Sequence, residues 1–265
     1  MRKLSLLSMM LGLSLSLLAQ SKNPLPNDPA DPTSPAGGAA FTRAPVVPKA
    51  PMPRLPDRTP DLSGVWHGGG PIQDLAAGLA PGETIPLLPE AKKLMASRQS
   101  KDDPEANCLP TGVPRIAPYP WRIVQTPSHA KATHLFFLFE GNIHSYRQIF
   151  MDGRKHPENL DPTWYGHSVG RWEGDTLVVD VVHFNDQTRF DKAGNFHSEM
   201  LHVVERYSFI DPTHLNYEVT LEDPKVFTRP WKMQMPLYKR LETSPRVLEY
   251  YCYGFSDVFT LPAGR

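Results

Sequence analysis

The sequence lacks the features that identify many common enzyme classes. It has no Gly-x-Ser-x-Gly turn for a serine nucleophile, no glycine-rich phosphate loop and no dinucleotide-binding fingerprint after a strand. Neither charge is in excess, because 28 Lys and Arg residues balance 28 Asp and Glu residues. A neutral chain without a long basic run lacks the attraction that drives binding to nucleic acids and anionic membranes. We therefore predict no nucleic-acid partner, and nothing in the sequence calls for an organic cofactor.

Long apolar segments are also scarce. The N-terminal apolar run, residues 4–18, follows two basic residues, ends at the small residue Ala19 and is shorter than the roughly 20 residues that span a bilayer. This pattern is typical of a signal peptide, which we predict over residues 1–19. We expect a periplasmic or secreted protein with no integral membrane segment once that peptide is removed.

Cysteine is nearly absent, and proline is unevenly distributed. The two cysteines, Cys108 and Cys252, would meet an oxidising compartment, so we predict a disulfide between them; two separate buried thiols are the alternative. Eleven of the 29 prolines lie in residues 21–60. Such a composition buries little apolar surface, so residues 20–60 are predicted to form a Pro-rich disordered leader. The folded domain is then residues 61–265.

The folded part carries many strand patterns and few helix patterns. Runs of β-branched and aromatic residues recur at short spacing, separated by turn residues. Only residues 89–98 have the pattern of a helix, with Pro89 at the first position. The fold class is therefore all-β, a single antiparallel meander of eight to ten strands closing into a barrel. The predicted strands are 65–66, 121–125, 133–139, 143–151, 166–172, 176–184, 201–210, 215–221, 231–239 and 247–253.

Two segments of the folded part resemble known groups of proteins. The segment DLSGVW, residues 61–66, resembles the Gly-x-Trp opening of lipocalin-type (calycin) barrels, in which the Trp plugs the closed end. The longer run around GHSVGRWEGDTLVVD, residues 166–180, resembles a large group of exported bacterial proteins without an assigned activity. The first resemblance implies a lipocalin-like barrel, and the second implies a family but no mechanism.

The hairpin at residues 166–184 is the most informative segment. We predict that Trp172 lies opposite Thr176, which puts Gly166, Ser168 and Gly170 on one face with Asp180. Three very small side chains on one face leave space, either for a ligand or for another part of the chain.

Acid–base chemistry is one hypothesis for this hairpin. Asp180 interrupts an apolar strand, and a buried carboxylate is costly unless a partner such as Arg147 or Arg206 pairs with it. His167 and His183, predicted on the opposite face, could transfer protons. Asp180, His167 and His183 are the candidate catalytic residues, and a purely structural Asp180 is the alternative.

Ligand binding is the other hypothesis for the same region. The predicted loop after residue 151 could form a rim over the barrel mouth, with aromatic and polar side chains around it. The candidate ligand-binding residues are Trp164, Tyr165, Ser168, Arg171, Arg147 and Trp172.

A metal site has one candidate set, His197, Glu199, His202 and Glu205. On an extended strand these residues spread over roughly 26 Å and point to both faces, so we predict no metal site.

Three functions remain open. The first is an exported barrel that binds a small, partly apolar ligand in its cavity. The second is a cofactor-independent lyase, isomerase or hydrolase that uses Asp and His in the same cavity. The third is a protein-interaction domain on a Pro-rich tether.

Overall fold

A computed structural model describes residues 51–68, 74–79, 84–125, 133–141, 145–249 and 252. The predicted signal peptide and most of the predicted leader lie outside the described residues. Within them, no helix is long and apolar enough to cross a membrane.

Nine strands form a closed barrel, which confirms the predicted fold class and strand number. Each strand pairs with its neighbour in the chain, and the last strand pairs with the first through Trp66 and Lys239. The strands are β1 (Gly64–His67), β2 (Trp121–Gln125), β3 (His134–Phe139), β4 (Tyr146–Phe150), β5 (His167–Glu173), β6 (Thr176–Val182), β7 (His202–Asp211), β8 (His214–Glu222) and β9 (Trp231–Lys239).

One strand pair departs from the predicted all-antiparallel meander. β4 and β5 are parallel, and only two residue pairs join them, Ile149 with Ser168 and Phe150 with Val169. The connection between them, residues 151–166, crosses over instead of forming a hairpin, as parallel neighbours require. Only the pairing of β1 with β9 is as short among the described strands.

The barrel interior is a packed core. Buried residues alternate with less buried ones along β2, β3 and the first six residues of β7, because successive side chains of a strand point to opposite faces. Trp121, Phe137 and Tyr207 meet inside the barrel with ring centroids 4.5–6.1 Å apart. Trp66 is fully buried, and its indole nitrogen donates a hydrogen bond to the Leu62 carbonyl oxygen at 2.8 Å.

Segments outside the barrel follow the predictions less closely. The helix α1 (Pro89–Ser97) confirms the predicted helix, with proline at its first position. The predicted strand 247–253 is wrong over its first three residues, 247–249, which form no strand. The barrel closes without it, because β9 already pairs with β1. The predicted disulfide between Cys108 and Cys252 is confirmed.

Candidate functional site

The β5–β6 hairpin has a register one residue away from the predicted one. Glu173, not Trp172, lies opposite Thr176, and Asp180 consequently lies opposite Val169. Asp180 therefore shares the outer face with His167 instead of sharing the inner face with Ser168. The prediction placed Trp172 at the turn, but the Glu173 side chain at the turn forms ion pairs with Arg171 and Arg206, which favours the observed register. A slip of one residue moves every side chain of a strand to the other face.

The space left by the small residues of this hairpin is occupied by the chain itself. A Cβ added to Gly170 would collide with the side chains of Met151 and Ile149. A Cβ added to Gly166 would lie 2.6 Å from the Val182 carbonyl oxygen, and Gly166 also has a positive φ of 66°. These two glycines allow close packing and a turn, and they do not create a ligand cavity.

A buried polar network lies inside the barrel. The Arg147 guanidinium donates to both carboxylate oxygens of Glu205, at 3.2 and 2.6 Å, and to the Ser168 hydroxyl at 2.9 Å. Tyr207 and Tyr217 donate to the same carboxylate at 2.9 and 2.6 Å. Arg147 and Glu205 are 3% and 1% exposed, so each charge depends on the other for compensation.

The electrostatics of this network keep its charges fixed. Burial alone would lower the pKa of Arg147, but the charge and hydrogen bonds of Glu205 outweigh burial and raise that pKa. Burial raises the pKa of both Tyr207 and Tyr217 well above its ordinary value, so their hydroxyls remain hydrogen-bond donors. Neither of the arginines considered as partners of Asp180 pairs with it, because Arg147 pairs with Glu205 and Arg206 pairs with Glu173.

A cleft of about 480 Å³ opens in the barrel wall between β4 and β5. Its aromatic walls come from β4 and from the end of the crossover, and two inward-facing residues, Arg147 and Ser168, lie along it. The lining residues are Pro110, Ser145, Tyr146, Arg147, Gln148, Phe150, Leu160, Thr163, Trp164, Tyr165, Gly166, His167 and Ser168.

The wall opens here because of the way the chain enters β5. Thr163 forms a bridge with Phe184 instead of with β4, and the Gly166 amide donates back to the Thr163 carbonyl in a turn. The positive φ of Gly166 makes this turn possible, since residues with a Cβ rarely adopt it. Residues 146–148 of β4 are therefore unpaired on the β5 side, and the cleft occupies that gap.

A chain of imidazoles and carboxylates runs across the outer face beside the cleft. The Nδ1 atoms of His167 and His156 are 2.8 Å apart, and His156 Nε2 lies 3.1 Å from Asp180 Oδ1. His202 Nε2 lies 3.2 Å from both oxygens of Asp180, and its Nδ1 lies 3.7 Å from Glu222. Asp180 is thus paired with two histidines, which explains a carboxylate in this apolar strand.

The pKa values of the histidines and the carboxylate in this row of side chains shift in opposite directions. Partial burial of Asp180 raises its pKa, but the hydrogen bond from His202 and the contacts with His156 outweigh burial, so the net change is downward. The hydrogen bond to Asp180 raises the pKa of His202. Burial lowers the pKa of His167, and the neighbouring His156, His183 and Arg154 lower it further. Asp180 is therefore an ionised acceptor, and His167 is neutral near pH 7.

Five of the nine candidate site residues line the cleft: Arg147, Trp164, Tyr165, His167 and Ser168. The other four lie elsewhere. Arg171 pairs with Glu173 at the surface, Trp172 packs against the core, His183 contacts the Pro157 carbonyl oxygen, and Asp180 lies on the outer face. The Tyr165 hydroxyl lies 2.7 Å from the Ser145 hydroxyl, where either can donate, so both polar groups are already positioned at the cleft.

The sequence analysis missed the roles of two residues of this region, one of which, Glu205, it considered only as a metal ligand. Glu205 interrupts an inward row between Val203 and Tyr207, the same signal that singled out Asp180, and could have been found in that way. His156 lies in an irregular crossover, where no periodicity indicates which way a side chain points. It contacts Asp180 from a position 24 residues away in the chain.

The four residues considered as a metal-ligand set do not converge. His197 is buried beside Thr188, Glu199 pairs with Lys225, His202 lies on the outer face and Glu205 lies inside the barrel. In the part of the chain that the structure describes, no group of three or more His, Cys, Asp or Glu side chains is arranged to hold a metal ion.

Comparison of the chain with models of known protein families, with curated proteins and with solved structures finds no match. The geometry of the site is therefore the basis for assigning a function.

Proposed function

We propose that this protein binds a small, partly apolar ligand in the cleft between β4 and the end of the crossover. The observation that carries the proposal is the composition of that cleft. Its walls are largely aromatic and aliphatic, and a few polar groups converge on it, which is the usual composition of a small-molecule site. A volume of about 480 Å³ suits a ligand of modest size.

The charges of the cleft favour an uncharged ligand. Arg147 is the cation along the cleft, and Glu205 already neutralises it inside the barrel. In the Ser145–Tyr165 pair at the cleft one hydroxyl donates to the other, so the second hydroxyl hydrogen can be donated to one ligand oxygen. An acceptor such as a carbonyl or hydroxyl oxygen satisfies this donor without adding an uncompensated charge.

Aromatic rings would supply most of the affinity. Trp164, Tyr146 and Phe150 line the cleft, and Tyr146 is among the most exposed apolar residues, at 62%. Covering such rings removes apolar surface from water, at about 25 cal/mol per Å². The ligand class is therefore a compact, partly apolar molecule with one or two oxygen acceptors.

The proposal is tested with N-phenyl-1-naphthylamine, an uncharged fluorescent probe. The wild-type protein is expected to enhance the probe's emission in a saturable titration. Trp164→Ala should weaken binding about tenfold or more, since aromatic residues in a desolvated pocket contribute more than 1 kcal/mol. Trp172→Phe is the matched control, because Trp172 is outside the cleft, and it should bind like wild type. No saturable enhancement, or equal affinity in all three proteins, would contradict the proposal.

We also propose that the protein is exported. The disulfide between Cys108 and Cys252 supports this proposal, because disulfides persist mainly in oxidising compartments. The resemblance to exported bacterial proteins supports it independently. Mass analysis of the mature N-terminus, with fractionation of expressing cells, should find a chain cleaved after Ala19 outside the cytoplasm, and an intact N-terminus in the cytoplasm would contradict it.

A further inference from the structure

The geometry points to a proton relay that ends in the cleft: we propose that His167 acts there as a general base, positioned by His156 and Asp180. This inference rests on the proposed function, because it assigns chemistry to the ligand that the cleft holds. It departs from the predicted catalytic set, since His183 is not part of the relay and His156 is.

The direction of the relay follows from the chemistry of its end group. An ionised carboxylate only accepts hydrogen bonds, so Asp180 requires a hydrogen on the Nε2 atom of His156. In neutral His156, the Nδ1 atom then carries a lone pair and accepts a hydrogen bond. Its partner at 2.8 Å is Nδ1 of His167, which must therefore carry the hydrogen.

The remaining ring nitrogen of His167 consequently carries a lone pair. With its hydrogen on Nδ1, His167 has an unprotonated Nε2, and that atom has no hydrogen-bond partner among the described residues. His167 lines the cleft, and its ring stacks on Phe150, another lining residue, with centroids 5.0 Å apart. The stacking and the Nδ1 hydrogen bond together hold the ring in one orientation.

The surroundings keep this base unprotonated until it acts. The charged and titratable groups that face His167 are His156 and Arg154 from the crossover and His183 from the end of β6. The Arg154 guanidinium lies over the Phe150 ring, 3.9 Å from the ring centroid. These groups and partial burial all favour neutral His167, the form that can accept a proton.

The chemistry assigned to the site is a single proton transfer. His167 Nε2 takes a proton from a ligand hydroxyl, or from a carbon next to a ligand carbonyl, and the ligand becomes its conjugate base. The new imidazolium charge is stabilised through His156 by the Asp180 carboxylate. Such a step begins many isomerase and lyase reactions and needs no cofactor.

The test is the position of the imidazole hydrogens, measured by long-range ¹⁵N–¹H NMR on the full chain at pH 8. In wild type, His167 is expected to carry its hydrogen on Nδ1, with Nε2 unprotonated. Asp180→Asn and His156→Phe should shift His167 towards the form with hydrogen on Nε2, because both break the relay. Glu222→Gln is the matched control, since Glu222 lies beside His202, on the side of Asp180 away from His156 and His167, and it should leave His167 unchanged.

A second measurement links the relay to the cleft. Diethylpyrocarbonate attacks unprotonated imidazole nitrogens, so we expect His167 to be modified several-fold faster in wild type than in Asp180→Asn, with N-phenyl-1-naphthylamine protecting it. Hydrogen on Nε2 of wild-type His167, or no change in Asp180→Asn, would overturn the relay even if the probe binds. A probe that fails to bind, with the expected tautomers observed, would instead contradict the proposed function, and with it the action of His167 on a bound ligand, while the order of hydrogen bonds from Asp180 to His167 would stand.

Discussion

Substitution of Glu205 by glutamine should destabilise the protein strongly, although the side chain keeps its size. Glu205 accepts both guanidinium contacts of Arg147 and the hydroxyls of Tyr207 and Tyr217, and both charges are almost fully buried. Glutamine can still accept from the tyrosines, but it places an amide donor against the guanidinium donors. Arg147 then remains buried without a counter-charge.

The magnitude follows from the burial of the pair. Removal of one partner of a buried ion pair costs about 3–5 kcal/mol, because the other charge stays uncompensated. For a domain of this size, each kcal/mol lowers the melting temperature by about 2–4 °C, so the expected loss is on the order of 6–20 °C. Urea denaturation, followed by far-ultraviolet circular dichroism, measures the loss directly as a lower midpoint with an unchanged slope.

Two further variants decide whether the ion pair causes the effect. The double variant Arg147→Met with Glu205→Leu removes both charges and should recover most of the stability, because well-packed apolar replacements of buried pairs are often neutral. Glu173→Gln removes a carboxylate whose pairs with Arg171 and Arg206 are at the surface, and it should change the midpoint very little. A loss below about 1 kcal/mol in Glu205→Gln would refute the assignment of a buried, mutually dependent pair.

Two other predictions concern the turn before β5 and the row of histidines and carboxylates on the outer face. Gly166→Ala should destabilise by about 1–3 kcal/mol in urea denaturation, because it adds strain at a positive φ and a collision with the Val182 carbonyl. Gly153→Ala, which has a similar φ of 77° but open space around it, should cost less, and an equal loss in both would contradict the role of the collision. His202→Gln should lower stability at pH 5.5 but have little effect at pH 9. The pKa of His202 is raised in the folded state, so its contribution is fully present below the unfolded value near 6.5 and is lost as pH rises through the folded value. A deficit that is the same at both pH values, measured as the urea midpoint, would contradict this linkage.

The general architecture could be predicted from the sequence because it depends on local patterns. Alternating apolar residues between turns indicated the strands, and the pattern of β2 and β9 gave their bounds without error. Proline at position 89 indicated the start of α1. The parallel pairing of β4 with β5 could not be predicted in this way, because it depends on the path of an irregular 16-residue connection, residues 151–166.

The candidate site was predicted less completely, and for a different reason. The predicted register, wrong by one residue, put Asp180 on the same face as Ser168, whereas Asp180 lies on the outer face, away from Arg147 and beside His202. Trp164 and Tyr165, which lie near the β4–β5 seam, were identified because they are aromatic residues at the end of the irregular segment that was predicted to form the rim of the barrel. The contact of His156 with Asp180 is a tertiary contact that no local pattern encodes.

The measurement that tests the central claim most directly is ¹H–¹⁵N chemical-shift mapping of the protein titrated with N-phenyl-1-naphthylamine. The account predicts saturable shifts concentrated on the cleft, at residues 145–148 and 163–168, and on the indole signal of Trp164. Signals of the distant hairpin between β7 and β8 should not move. Shifts that concentrate away from the β4–β5 seam, or no saturable shifts at all, would contradict the claim that the opening in the barrel wall is the binding site.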